Sequence, residues 1–317
     1  MRMLSESLDR LALLHPKLID LGLERTYQLL EKAGSPHQNL PPIFHIAGTN
    51  GKGSVCAYLF AIAKQLGLVT HCYTSPHLCR FNERIRIANK LIDDEALLQV
   101  LDEVEKLNQN RPITFYEITT VAAFMAFARI PADLLILETG LGGRLDSTNV
   151  IENPLASIIT PIARDHEHFL GSELTQIAGE KAGIIKKNVP VISASQTKEV
   201  EETLIEKARE MAAPIFFEGA DFIWEQISTG EVKLECKNRV FTLPKPALIG
   251  PHQIQNAALA AASIIYSNNF TPLDDRLFSG IGFAKWPGRV QFIDEGTLLN
   301  YRDARPIWID GAHNSHG

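Results

Sequence analysis

Ile43-Phe44-His45-Ile46-Ala47-Gly48-Thr49-Asn50-Gly51-Lys52-Gly53-Ser54 reads as an apolar strand running into a glycine-rich turn. Behind it, Val55, Leu59, Ile62 and Leu66 recur at helical spacing, and Gly67 supplies a stop. Glycines let backbone N–H groups turn inward around phosphate oxygens, because no Cβ blocks the required angles. The helix start adds the positive end of its dipole. Lys52 is placed to neutralise outer phosphates, and the Ser54 hydroxyl to ligate Mg²⁺. The loop departs from the usual GxxxxGK[ST] form: Gly53 separates Lys52 from Ser54, and Ile46 stands at the first-glycine position. Strand before and helix after favour a nucleotide loop over a plain turn with a solvated lysine.

Outward from this loop the alternation continues. Apolar runs at 68–73, 134–137, 156–162 and 189–194 are separated by helical patterns at 93–108, 117–128 and 174–185. The expected fold class is α/β, a P-loop-containing, mostly parallel sheet covered by helices on both faces. Helical stretches at 5–14 and 23–33 precede it. Residues 216–243 alternate polar and apolar and predict a small antiparallel region, followed by a helix over 252–266. Lys285-Trp286-Pro287-Gly288-Arg289 reads as a hinge or linker, and 306–310 as a new strand.

Composition narrows the function. At 317 residues the chain holds one large domain, or one and the start of another. No apolar run approaches the ~18 residues of a membrane span, and the N-terminus lacks a secretory pattern. The four cysteines show no CxxC pair or zinc spacing, so reduced cytoplasmic thiols are expected, with Cys56 a buried small hydrophobe. A net charge of −6 argues against nucleic acid as the main partner.

In open parallel sheets, ligands bind beyond the carboxyl ends of the strands. Chemistry-bearing residues fall there: Ser75 after 68–73, Glu138 closing 134–137, and Asp165-His166 after 156–162. Glu138 suits a hard cation that takes carboxylate, phosphate and water oxygens, and Ser75 offers a second hydroxyl. The plain alternatives are a water-facing acid and a turn residue before proline. Taken alone, Lys181 reads as a surface lysine of a helix.

Together, Gly48–Ser54, Tyr73-Thr74-Ser75-Pro76-His77-Leu78, Arg80-Phe81-Asn82-Glu83-Arg84-Ile85, Gly140-Leu141-Gly142-Gly143-Arg144-Leu145-Asp146, Glu180-Lys181-Ala182-Gly183 and Asp310-Gly311-Ala312-His313-Asn314 resemble the dihydrofolate synthase/folylpolyglutamate synthase family of the Mur ligase superfamily. The resemblance implies ATP-driven transfer of a phosphoryl group to a carboxylate of dihydropteroate or a folate, then attack by the amine of L-glutamate. It puts Ser54, Ser75, Glu138 and His166 on Mg²⁺, and Lys52, His166 and Lys181 in catalysis, with Lys181 as a carbamate. Asn256, Arg289, Asp310 and His313 match nucleotide contacts. Leu21, Gly22, Leu23, Thr114, Phe115, Tyr116, Asp146 and Ser147 match the pterin region, Asp146 either as a pterin acceptor or as a turn cap. Arg80, Arg84 and Arg86 either draw in glutamate carboxylates or sit on a solvated strand.

The family's usual glycine-leucine before Asp-His is Ala163-Arg164 here. The expected division is an ATP-binding domain over 1–296 and, over 297–317, a linker with the first strand of a Rossmann-like glutamate-ligase domain. With that domain incomplete, weak nucleotide binding and poor ligation are expected of a monomer. Competing readings are another Mur-superfamily acid–amino acid ligase, a P-loop kinase or NTPase, and a non-catalytic nucleotide-binding module.

Overall fold

Leu134 and Ile136 enter one apolar cluster while Leu135 and Leu137 enter another, so their strand is buried on both faces. This organisation comes from a computed structural model that describes residues 4–17, 19–271, 273–294, 296 and 305–314. Helices α1 (Leu4–Ala12) and α2 (Glu24–Lys32) precede β1 (Ile43–Ala47) and α3 (Lys52–Gln65). Then come β2 (Thr70–Tyr73), β3 (Ile85–Ile87), β4 (Lys90–Leu91), α4 (Asp94–Asn108), α5 (Phe115–Arg129) and β5 (Leu134–Glu138). The second half holds β6 (Ala156–Ile159), α6 (Glu167–Leu170), α7 (Leu174–Ala182), β7 (Val191–Ser193), α8 (Lys198–Glu210) and β8 (Ile215–Phe217). Strands β9 (Phe222–Gln226), β10 (Val232–Cys236) and β11 (Arg239–Leu243), helix α9 (Pro251–Ser267), β12 (Gln291–Ile293) and β13 (Ile307–Ile309) complete it.

The main sheet is eight-stranded, in the order β4-β3-β2-β5-β1-β6-β7-β8. From β2 to β8 the neighbours are parallel; β3 and β4 add an antiparallel edge. The chain moves from β1 outward to β2, returns to β5, then crosses to β6 on the other side of β1. The crevice at the carboxyl end of β1 is therefore a topological switch point, where α/β sheets place their ligands.

Helices α3 and α9 cover one face and share its apolar cluster with the 3₁₀ segment Asp275–Phe283. Helices α1, α2, α4 and α5 cover the other, and α7 and α8 extend it. Local signals fix the helix starts. Asp93 caps α4 by accepting from Ala96 N, and Thr114 and Glu117 form a reciprocal capping box on α5.

Two sequence expectations change. Phe216 and Phe217 belong to β8 at the parallel edge of the main sheet, where Phe216 stacks on Tyr266 at 3.8 Å; the antiparallel sheet begins at Phe222. The 285–289 hinge is anchored, since the Trp286 ring packs over Gly53. The strand expected over 306–310 is present as β13 and pairs antiparallel with β12.

Gly280 shows how tightly the first face packs. A Cβ there would lie 2.3 Å from the Ala61 carbonyl oxygen and 2.5 Å from Ile62 Cα, both backbone atoms of α3. Gly280→Ala is expected to lower unfolding free energy by about 1–3 kcal/mol in urea titrations. Gly282→Ala, whose nearest neighbours would be 3.8 Å away, should leave the midpoint near its original value.

Candidate active site

Gly51 heads α3 in the left-handed region at φ 92°, and a Cβ there would lie 2.6 Å from Asn256 Oδ1. Only glycine meets both demands. No side chain caps this helix start, so its N–H groups face the crevice as donors. The loop is tied to the end of β6: Thr49 Oγ1 donates to Ala163 O at 3.0 Å and accepts from Ala163 N at 3.1 Å.

Two ammonium groups meet on one carbonyl. Lys52 Nζ donates to Gly48 O at 3.0 Å and to Thr49 O at 3.2 Å, while Lys181 Nζ donates to Gly48 O at 2.8 Å. Among the described residues neither forms an ion pair with a carboxylate. Lys181 is 4% exposed, and burial, helped by the Lys52 charge, pushes its pKa down to about 7. The surface-lysine reading of Lys181 is thus overturned.

Glu138 ends β5 and is 3% exposed, so it is not a water-facing acid. It accepts from Ser75 N at 3.2 Å. Burial raises its pKa to about 7 against the pull of Lys52, the Ser75 amide, Arg289 and Arg84. Buried Ser54 accepts from Gln253 Nε2 at 3.2 Å. A desolvated carboxylate, two hydroxyls and nearby phosphate donors fit a hard cation such as Mg²⁺ completed by phosphate and water oxygens. Among the described residues no group of three or more His, Cys, Asp or Glu is placed to hold a metal ion.

Two cavities flank the loop. One, about 250 Å³, is lined by Gly51, Ser54, Asn256, Arg289, Asp310 and His313 among others. Asp310 shapes its rim by accepting from Val290 N and Ala312 N, each at 2.7 Å. The amides of Asn50 and Asn314 pair reciprocally at 3.0 and 3.2 Å, and Asn314 Nδ2 also donates to Asp165 Oδ2, drawing the 310–314 segment to the phosphate loop. The other cavity, about 370 Å³, is lined by Leu21, Thr114, Phe115, Tyr116, Asp146 and Ser147, together with Ser75, His166 and His313. His313 lines both.

Residues 46–264 match the Mur ligase middle domain family. The chain is 39% identical over 315 residues to the dihydrofolate synthase/folylpolyglutamate synthase of Bacillus subtilis, covering 93% of this chain and 70% of that protein. It is 35% identical over 307 residues to the probable dihydrofolate synthetase of Schizosaccharomyces pombe, with 93% and 70% covered. The chain belongs to the dihydrofolate synthase/folylpolyglutamate synthase family. Among solved structures, Escherichia coli FolC in complex with DHPP and ADP matches at a TM-score of 0.88 and 31% identity, over 99% of this chain and 72% of that one. The Mycobacterium tuberculosis folylpolyglutamate synthase complexed with ADP and AMPPCP matches at 0.84 and 32%, over 98% and 71%.

Of the positions the family resemblance marks, some fall outside the cavities. Gly22 and Leu23 do not line the larger of the two cavities; Leu23 packs into the α1–α2–α5 core. Arg80 points away to pair with Asp94 at 2.6 Å, because Phe81–Arg84 forms a 3₁₀ turn instead of a strand. Arg84 lines the cavity, donating to His77 Nδ1 at 2.9 Å, and Arg86 lies over the Phe60 ring. Asp146 takes the turn-cap role: it accepts from Gly140 N, Leu141 N, Thr148 N and Thr148 Oγ1 while lining the cavity. His166 is half-exposed and adopts φ 51° beside Asp165. Sequence reading missed Gln253, which bridges Ser54 and Asn256, and Arg25, which joins Asp20 to Glu117 beneath the cavity. Their links to Ser54 and Glu117 span 199 and 92 residues of sequence, which hid them.

Folded Lys181 loses its proton near pH 7, whereas an unfolded lysine holds it to about 10.5. The unfolded chain binds more protons between these values, so this residue's contribution to stability grows with rising pH and is lost as pH falls through 7. Urea unfolding of the protein and of Lys181→Met at pH 7 and pH 9 should show the parent gaining on the variant at the higher pH. A pH-independent difference would contradict the buried-ammonium assignment.

Proposed function

We propose that this chain activates the carboxylate of dihydropteroate or tetrahydrofolate with ATP and joins it to L-glutamate as an amide. One observation carries the reading: the nucleotide-side and pterin-side cavities meet at His313, with the phosphate loop beside the junction. Relatives are captured with the corresponding molecules, including one with Mn, AMPPNP and L-glutamate bound and one with DHPP and ADP.

A carboxylate is a poor electrophile, and phosphorylation gives it a leaving group. The N–H groups of the loop and Lys52 hold the triphosphate and offset charge as the terminal phosphoryl group moves to the substrate oxygen. Amine attack on the acyl phosphate then forms the C–N bond, and phosphate departs with the C–O electron pair. Ser54, Ser75, Glu138 and His166 would hold Mg²⁺, which when bound neutralises phosphate oxygens. Asn256, Arg289 and Asp310 would orient the nucleotide, and Leu21, Phe115, Tyr116 and Asp146 the pterin. Arg84 remains the cavity's arginine for an anionic substrate group. Burial lowers the Lys181 pKa to about 7, so near neutral pH a large share of the side chain is the free amine, a nucleophile toward CO₂. Its carbamate would replace one of two like charges on Gly48 O with an anion.

We place the protein in the cytoplasm as a monomer, with 1–296 as its ATP-binding unit. The four free thiols support a reducing compartment. Among the described residues no helix is long and apolar enough to cross a membrane.

Mass spectrometry after incubation with MgATP, L-glutamate and dihydropteroate or tetrahydrofolate tests the reaction. The expected product carries one added glutamyl residue, and Lys52→Met or Glu138→Gln should slow its formation by roughly 10²–10³-fold. Phosphate release without amide formation would instead mark a P-loop phosphatase or kinase.

A further inference from the structure

His45 sits at the centre of β1, fully buried, and none of the chemistry above uses it. Burial drives its pKa down to about 3, so the ring is neutral and carries a single N–H. Nε2 lies 2.9 Å from Thr148 Oγ1. The Thr148 hydroxyl gives its own proton to Asp146 Oδ1 and can only accept from the ring, which assigns the imidazole proton to Nε2. The other nitrogen, Nδ1, has no hydrogen-bond partner.

An unpaired nitrogen in the core is unfavourable, and its neighbours Phe44 and Ile46 fill their places in β1 with no such penalty. Among the described residues the Nε2–H bond to Thr148 is the ring's one polar contact. That bond opens a chain. Thr148, fully buried, also donates its backbone N to Asp146 Oδ1 at 3.0 Å. Asp146 Oδ2 accepts from Gly140 N at 2.8 Å and Leu141 N at 2.9 Å. Gly140, Leu141, Leu145, Asp146 and Ser147 form one wall of the larger cavity.

We infer that His45 is a positioning residue for the acid substrate, fixing through Thr148 the carboxylate that folds the 140–147 wall of its pocket. The strand that delivers the phosphate loop thereby also braces the pocket for the group to be phosphorylated. His45 lies three residues before Gly48, so the two sites share one rigid element. The substrate class rests on the proposed function; the bracing of the wall does not.

Hydrogen exchange at Gly140 and Leu141, read with equilibrium binding of dihydropteroate and of ADP, tests it on the full chain. His45→Leu removes the donor, and His45→Gln restores an N–H at similar reach. Thr148→Val and Thr148→Ser repeat the comparison if the leucine variant does not fold. Expected for His45→Leu and Thr148→Val is roughly tenfold faster exchange at these two amides and roughly tenfold weaker dihydropteroate binding, with ADP affinity held within about twofold. The Gln and Ser variants should move back toward the parent. Unchanged exchange at 140–141, uniform acceleration across all core amides, or equal weakening of both ligands would overturn the inference. A parent chain that shows the exchange effect but never binds dihydropteroate would overturn the substrate reading and leave the brace standing.

Discussion

Two ammonium groups on the single carbonyl of Gly48 are the constraint from which the rest of the site follows. Like charges this close raise each other's free energy, and burial denies Lys181 the water that would screen it. Losing a proton from Lys181 relieves part of the strain; a bound polyanion relieves the rest. The same crevice holds Glu138, a carboxylate that burial makes reluctant to ionise until a cation arrives. Triphosphate and divalent cation together satisfy both demands, and neither does so alone. The loop glycines, the uncapped start of α3 and the central position of β1 deliver these groups to one place.

Much of the fold was legible because parallel strands buried on both faces read as unbroken apolar runs. The phosphate loop could be placed because it follows one such run. Helix α5 was located by its strand neighbours more than by amphipathicity, since residues 117–127 are buried all round. Illegible were the short elements. Strand β3 spans only Ile85–Ile87, too short for its Ile-Arg-Ile alternation to mark a strand. Strand β8 sits at a sheet edge, where its Ile-Phe-Phe cannot be told from the first arm of a hairpin. Helix α8 shows the sequence only a narrow stripe of Val200, Leu204 and Ala208.

The site divides along similar lines. Glu138 could be read because an acid closing an apolar run has few roles. Lys181 was read as solvated from its residue type, because its partner, Gly48 O, lies on another element, although its spacing from Ile177 and Ala178 puts it on the buried face of α7. Arg80 and Arg84 look equivalent in sequence, yet the turn at Phe81–Arg84 sends one to Asp94 and the other to the cavity. His45 was invisible for the opposite reason: within an apolar run it passes as filler. Chemistry carried by residue type and strand position survives in one sequence; chemistry carried by long-range hydrogen bonds does not.

A crystal structure with Mg²⁺ and a non-hydrolysable ATP analogue tests the shared-centre claim most directly. The expected density places the outer phosphates on the amides of residues 51–54, with Lys52 Nζ moved from Gly48 O to a phosphate oxygen and Glu138 facing the same cation. A triphosphate bound elsewhere, or Lys52 and Glu138 serving separate pockets, would contradict it.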